Sequence, residues 1–179
     1  MAKLPTDLSG REVRAAIERA WVLAVTAILS VAILSYWFLV RSPYPTAEAA
    51  LEAFYGGEPR PECLQAEPLR EDGARVVPLV IRELPNKAMP RRRYAISFLG
   101  EGRHAEALPV FEKILADETE IFYFRADALL AIFEIAPTRA QELASQVALV
   151  QDKYRHFERA VHAVERGDVS DFVRHGCVW

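Results

Sequence analysis

Hydrophobic residues follow two different patterns along this chain. Residues 20–40 read AWVLAVTAILSVAILSYWFLV, a run of 21 residues without a charge. From residue 73 onward, apolar residues recur at the spacing of a helix face, and glycines or prolines separate the apolar stretches. No stretch alternates apolar and polar residues with a period of two, which a half-buried strand would require. The pattern therefore predicts an all-α chain with two parts of different character.

The uncharged run has the composition and length of a membrane-spanning helix. About 20 helical residues cross a hydrocarbon core about 30 Å thick. Arg19 and Arg41 flank the run, and aromatic residues lie near both of its ends, as the membrane interface favours. A core helix would carry a polar face. A cleaved signal peptide, to which Ala47-Glu48-Ala49 offers a possible cleavage site, has a shorter apolar region. We therefore predict a retained transmembrane helix over 20–40.

Basic residues are unequally distributed around this run. Four Lys or Arg residues precede it, whereas Arg41 is followed by no further basic residue until Arg60. Because basic residues favour the cytoplasmic side, we expect residues 1–19 in the cytoplasm, the helix in the inner (plasma) membrane, and the remainder in the periplasm or outside the cell. Small side chains allow close packing of helices in lipid. The candidate transmembrane packing face consists of Ala20, Ala24, Thr26, Ala27, Ser30 and Val31.

The part of the chain beyond the run contains repeated helix patterns. After a linker, a short helix and a Pro-rich loop over 41–72, the candidate helices are 73–84, 90–100, 103–116, 119–135, 137–149, 152–166 and 168–174. The stretch 74–84 (ARVVPLVIREL) aligns with 105–115 (AEALPVFEKIL) at an offset of 31 residues. This alignment places Pro78 over Pro109 and Leu84 over Leu115. An internal repeat of this length is typical of stacked helix pairs.

The intervening helices repeat as well, at offsets of 33 and then 32 residues. The three matching sets are Arg92, Ala95, Phe98 and Leu99, then Arg125, Ala128, Ala131 and Ile132, then Phe157, Ala160, Ala163 and Val164. These residues resemble HEAT-type helical repeats. The resemblance implies about three antiparallel helix pairs over 73–166, stacked in a short α-solenoid. In such a solenoid the prolines would bend the first helices, Arg92 would pack near the next turn, and residues 167–179 would cap one end. A bundle of similar amphipathic helices is the alternative.

Charge and motif content narrow the possible functions. The net charge of −3 gives no basic excess, so we expect no nucleic-acid partner. The four histidines have no metal-binding spacing, and no phosphate-binding loop or serine-nucleophile motif occurs. We therefore predict that the chain is not an enzyme and carries no catalytic residue, cofactor or metal.

Two groups of residues remain as candidate sites. Cys63 and Cys177 flank the repeats and would form a disulfide in an oxidising compartment. The ends of a three-pair solenoid lie about 25–30 Å apart at about 10 Å per helix layer, and a disulfide needs Cα atoms within about 7 Å, so both states stay open. Arg91 and Arg93, on either side of Arg92, are expected to be exposed. They form either a solvated helix start or a docking patch for an acidic partner or lipid headgroups.

Together these expectations predict a membrane-anchored scaffold of helical repeats. Repeat solenoids offer extended surfaces that suit protein partners. We therefore expect an accessory or structural subunit of a larger membrane complex, which binds partner proteins on the outer side. The alternatives are a cell-envelope ligand-binding or signalling protein, and a chaperone or assembly factor.

Overall fold

The described part of the chain is entirely helices and the turns that connect them. A computed structural model describes residues 21–31, 42–56, 61, 64–148 and 155–173. The chain divides into two compact units, Met1–Arg41 and Ser42–Trp179. No described residue lies in a strand, so the predicted all-α class is confirmed for this part of the chain.

In the first unit, residues 21–31 form one helix, α1. No helix formed by the described residues is long and apolar enough to cross a membrane. This finding contradicts the predicted transmembrane helix over 20–40. Residues 20 and 32–40 lie outside the described residues.

Three further predictions depended on that helix and are wrong with it. These are the location in the inner membrane, the placement of the second unit in the periplasm or outside the cell, and the partnership with membrane proteins through a transmembrane helix.

The described residues of the second unit form nine α-helices. They are α2 (Ala47–Gly56), α3 (Glu67–Asp72), α4 (Val77–Glu83), α5 (Arg92–Glu101), α6 (Leu108–Ala116), α7 (Phe122–Ile135), α8 (Pro137–Ala144), α9 (His156–Arg166) and α10 (Ser170–Val173). Sequence analysis predicts loop where α3 lies. Pro68 occupies the first turn of α3, where a missing N–H costs no helical hydrogen bond. Leu69 is completely buried, so packing stabilises this short helix.

Prolines begin the first helices of two pairs and do not bend them. Pro78 and Pro109 each lie in the first turn of an α-helix, α4 and α6. Each of these helices follows a 3-10 turn, over Gly73–Arg75 and Ala105–Ala107. A proline inside a helix would break a backbone hydrogen bond, whereas at the first turn it breaks none. The predicted single bent helix is therefore a 3-10 turn followed by a shorter α-helix.

Helix α7 is the centre of the second unit. It contacts α6 and α8, its neighbours along the chain. It also contacts α5 and α9, the equivalent helices one repeat before and one repeat after it. Its apolar residues face several directions because neighbours surround it. The aligned alanines Ala95, Ala128 and Ala160 are all completely buried, and their small side chains allow the second helices to pack side by side. At one end, α2 packs on α3 and α4, and α3 packs on α5.

Two buried arginines make equivalent contacts in successive pairs. The Nε of Arg92 donates to the Leu84 carbonyl at 2.8 Å, and the Nε of Arg125 donates to the Leu115 carbonyl at 2.9 Å. Each arginine is 3% exposed. The guanidinium of Arg92 stacks on the Phe124 ring, and that of Arg125 on the Phe157 ring, with 5.0 and 4.7 Å from carbon to ring centroid.

These contacts follow the sequence repeat. The accepting carbonyls lie 31 residues apart, the arginines 33 and the stacked rings 33. The alignment therefore corresponds to the same three-dimensional contact made twice, and the prediction that Arg92 packs near the next pair's turn is confirmed.

The first residues of the second unit are attached to α3. The hydroxyl of Ser42 donates to Asp72 Oδ1 at 2.7 Å, and that of Tyr44 donates to Glu71 Oε2 at 3.0 Å. Arg75 also donates to Asp72 and to the Tyr44 carbonyl. The segment that precedes α2 is therefore held against the end of the helical stack.

Substitution of Gly100 by alanine tests the close packing of α5 on α7. A Cβ at Gly100 would lie 2.8 Å from the Ala131 Cβ and 3.0 Å from its Cα. Glycine to alanine in a helix normally stabilises by about 1 kcal/mol, but this overlap reverses the sign. We expect Gly100→Ala to lower the free energy of unfolding by about 1–3 kcal/mol, measured by chemical denaturation. The control Gly56→Ala, with nothing within 4 Å of its new Cβ, should not destabilise the protein. A stabilising Gly100→Ala would contradict the close approach.

Removal of one partner of a buried ion pair should cost more than removal of both charges. Arg92 Nη1 lies 2.6 Å from Glu120 Oε2, with side-chain exposures of 2% and 3%. Arg92→Met leaves a buried, unpaired carboxylate and should cost about 3–5 kcal/mol. Adding Glu120→Gln removes that charge and should restore part of the loss. Denaturation of the two single variants and the double variant measures the coupling, and strictly additive effects would show that the two side chains do not interact.

Candidate interaction surface

The arginine run at the start of α5 is largely occupied by internal contacts. Arg91 is half-buried with a left-handed backbone (φ 55°), and its Nη1 donates to the Phe54 carbonyl at 2.9 Å. Arg93 is exposed, and its Nε lies 3.3 Å from Asp127 Oδ2 on α7. The predicted exposure therefore holds for Arg93 and not for Arg91. The pair remains a predicted docking patch, but Arg91 joins α5 to the end of α2 and Arg93 joins α5 to α7.

The acidic turn between α6 and α7 receives cations from the preceding pair. Glu120 binds Arg92 and accepts a hydrogen bond from the Ile121 N–H. Lys87 Nζ lies 2.7 Å from Asp117 Oδ2. The bonds from Lys87 and Thr119 hold the pKa of Asp117 well below its usual range. Opposite charges in neighbouring turns therefore connect consecutive pairs.

Asp127 is a buried carboxylate in the middle of α7. Its side chain is 10% exposed. Its Oδ2 lies near Arg93 but accepts no well-aligned hydrogen bond from the part of the chain that the structure describes. Burial raises its pKa to about 6, and the nearby Arg93 offsets part of that rise. The charged form of Asp127 is thus less favourable in the folded protein than in water.

An aromatic cluster joins the starts of α7 and α9 to α10. The ring centroids of Phe122 and Tyr123 lie 4.4 Å apart, and those of Tyr123 and His156 lie 4.7 Å apart. The Phe172 ring meets His156 edge-on at 5.8 Å. Ile121 beside this cluster is 56% exposed, more than any other large apolar residue in the described part of the second unit. The cluster positions α10 against α9.

A shallow cleft of about 140 Å³ lies between α9 and α10. Its lining consists of Arg159, His162, Ala163, Arg166, Asp171 and Phe172. The Arg159 guanidinium stacks on the Phe172 ring at 5.6 Å. His162 is engaged by Glu165, with 3.0 Å between Nδ1 and Oε2. Arg159 and Arg166 have no carboxylate within ion-pair distance among residues 155–173 or the other described ranges. We name this feature the α9–α10 cleft.

No group of three or more His, Cys, Asp or Glu that could hold a metal ion occurs among the described residues. His104 packs on Phe98 at 5.6 Å and lies 3.7 Å from Glu106. His156 belongs to the aromatic cluster and His162 to the cleft. The absence of catalytic residues, cofactors and metals in the whole chain stays a prediction.

The remaining predicted site residues lie on α1 or outside the described residues. Thr26 Oγ1 donates to the Val22 carbonyl at 2.8 Å, and Ser30 Oγ donates to the Thr26 carbonyl at 2.9 Å. Ala24, Ala27 and Val31 are exposed on the same helix, and their role in a helix-packing face stays a prediction. Ala20, Cys63 and Cys177 lie outside the described residues.

Sequence reasoning missed the cleft and the buried carboxylate. Asp127 follows Arg125 by two residues and reads as an exposed helix position, because the neighbours that bury it come from α5. Arg159 and Arg166 stand seven residues apart with Ala163 between them. That spacing places all three on one helix face. This spacing was the sequence signal for the cleft. The sequence does not show which cations are paired, because acidic residues lie close to both arginines along the chain.

The variant Asp127→Asn tests the raised pKa. A carboxyl whose pKa is raised on folding contributes stability below its unfolded pKa near 3.8 and loses it as the pH rises through about 6. From pH 4 to pH 8 the wild-type protein should therefore lose up to about 3 kcal/mol of unfolding free energy relative to the variant, as a shift from 3.8 to about 6 implies. Denaturation at a series of pH values measures this difference. Parallel curves would mean that Asp127 ionises normally.

The cleft and the turns between pairs are the surface features that the geometry singles out. No family model, curated protein or solved structure matches this chain.

Proposed function

We propose that this chain is a HEAT-like helical-repeat scaffold, an accessory subunit that binds a partner protein through its second unit. The observation that supports this most strongly is the equivalent contact of Arg92 and Arg125 in successive pairs. A contact repeated at a constant chain offset stacks the pairs in one direction. Stacked pairs present an extended surface, and such a surface suits a protein partner more than a small ligand.

The electrostatics of the second unit favour the same proposal. Ion pairs on its surface join helices that are not consecutive in the chain, α8 to α6 through Arg139 and Glu112, and α3 to α5 through Arg70 and Glu101. These exposed pairs contribute little stability each. Ile121 is exposed, and Arg159 and Arg166 of the cleft have no carboxylate partner among the described residues, so these residues are available to a partner. The proposal includes no catalytic activity.

Site-specific cross-linking tests the scaffold proposal. A photoreactive phenylalanine analogue replaces Ile121 beside the aromatic cluster or, in a second variant, Lys113 on the exposed side of α6. We expect the first variant to cross-link one protein in the native host, which mass spectrometry then identifies. That protein and the full chain, each purified, should form a complex of defined stoichiometry in size-exclusion chromatography.

The second variant is the control for position. A partner that binds one surface gives cross-links at one of the two sites, whereas random collisions give both equally. Equal, diffuse cross-linking at both sites, or no complex between the purified proteins, would refute the scaffold proposal.

A further inference from the structure

The described arginines of the second unit are mostly bound to acceptors of the same chain. Arg92, Arg93 and Arg139 lie within 2.6–3.3 Å of carboxylate oxygens on other elements. Arg155 pairs with Glu158 one turn away. Arg159 and Arg166 differ from these residues, because they line one cleft and have no carboxylate partner among the described residues. Their guanidinium groups are therefore available to an anion of another molecule.

The α9–α10 cleft presents these two cations in a fixed arrangement. Arg159 and Arg166 lie two helical turns apart, about 10 Å along the axis, on the same side of α9. Ala163, between them on this face, is 2% exposed and lines the floor of the cleft. The Phe172 ring stacks on the guanidinium of Arg159. Such stacking holds the planar fork while its N–H groups stay available to carboxylate oxygens.

The opposite wall limits what the cleft accepts. Phe172 supplies an apolar surface and Asp171 a negative charge. The acids Glu158 and Glu165 on α9 lie beside His162, so they add negative charge at the rim. A compact, highly charged anion such as phosphate would meet this repulsion. A peptide distributes its charges along its length, so that two separate carboxylates can reach two arginines that lie about 10 Å apart along the helix.

We propose that the α9–α10 cleft binds an acidic peptide segment of the partner protein. One carboxylate binds Arg159, a second binds Arg166, and an apolar side chain between them packs on Phe172. The proposal rests on the function of the chain as a partner-binding scaffold and names the chemistry of that partner. It also moves the acidic docking site from the start of α5, where Arg91 and Arg93 have partners within the chain, to the last pair.

Fluorescence anisotropy of a labelled peptide measures this binding with the full-length chain. The probe carries Glu-Leu-Glu between glycines, and the neutral control peptide carries Gln-Leu-Gln. We expect the acidic peptide to bind and the neutral one to bind at least about tenfold more weakly, since one charge-assisted hydrogen bond corresponds to that factor or more. Added salt should weaken the acidic peptide's binding.

Substitutions locate the site. Arg159→Ala and Arg166→Ala should each weaken binding about tenfold, and the lysine variants at the same positions should fall between, because they keep the charge without the fork. The matched control Lys113→Ala removes an exposed cation from α6 and should leave the affinity unchanged. Both arginines lie at the surface, so circular dichroism melting curves of all variants should coincide with that of the wild type.

Three outcomes would overturn the inference. The first is equal binding of the acidic and neutral peptides, or no binding of either. The second is an affinity that Lys113→Ala lowers as much as the two arginine variants do, which would indicate non-specific charge attraction. The third is displacement of the peptide by inorganic phosphate at a comparable concentration, which would indicate a free-anion site.

The cross-linking experiment separates this inference from the scaffold proposal. If the purified partner forms its complex equally well with the wild type and with Arg159→Ala and Arg166→Ala, the scaffold proposal stands and the cleft proposal falls. If the acidic peptide binds in the cleft but no partner protein forms a complex, the cleft proposal stands and the scaffold proposal falls.

Discussion

The second unit depends on one repeated interaction, a buried arginine that joins three helices. Each guanidinium donates to a carbonyl at the end of the preceding first helix and stacks on a ring of the next second helix. The last carbonyls of a helix have no partner within that helix, and a cation there also faces the negative end of the helix dipole. A buried guanidinium, in turn, requires acceptors. The guanidinium therefore supplies the donor that the carbonyl lacks, and the carbonyl supplies the acceptor that the guanidinium requires. This contact sets the register of consecutive helix pairs.

The same constraint determines which charges remain for partners. Glu120 completes the acceptors of Arg92, while Lys87 and Arg93 are held by Asp117 and Asp127 of the next pair. Charged residues that are clustered along the chain therefore form ion pairs with residues of the neighbouring helix pair when the helices stack. Arg159 and Arg166, which this scheme does not use, lie in the last pair, where no further described pair supplies acidic turns. The anionic peptide that we propose for the α9–α10 cleft would take the place of such a turn.

Sequence reasoning predicted the helices well where apolar residues recur at helical spacing over many residues. It failed where a single residue, such as a proline, is compatible with two structures. The repeat register placed Arg92 and Arg125 in equivalent positions, because a contact that recurs in space leaves a recurring residue type in sequence. Pro68 suggests a loop in the sequence, but it lies in the first turn of α3. A proline is compatible with a loop and with the start of a helix, and the burial of Leu69 decides for the helix. The composition of the uncharged run favours a membrane span, whereas no helix formed by the described residues is long and apolar enough for one.

By itself, the sequence determined the all-helical class of the described chain, the positions of most second-unit helices and the internal repeat. Those properties follow from local periodicity and turn chemistry, which neighbouring residues carry. The tertiary structure decided which polar groups are buried and which are paired. Asp127 is buried only because α5 packs on α7, and Arg91 has an acceptor only because α2 ends beside it. Desolvation and pairing are properties of elements distant in sequence, so no local pattern of residues specifies them.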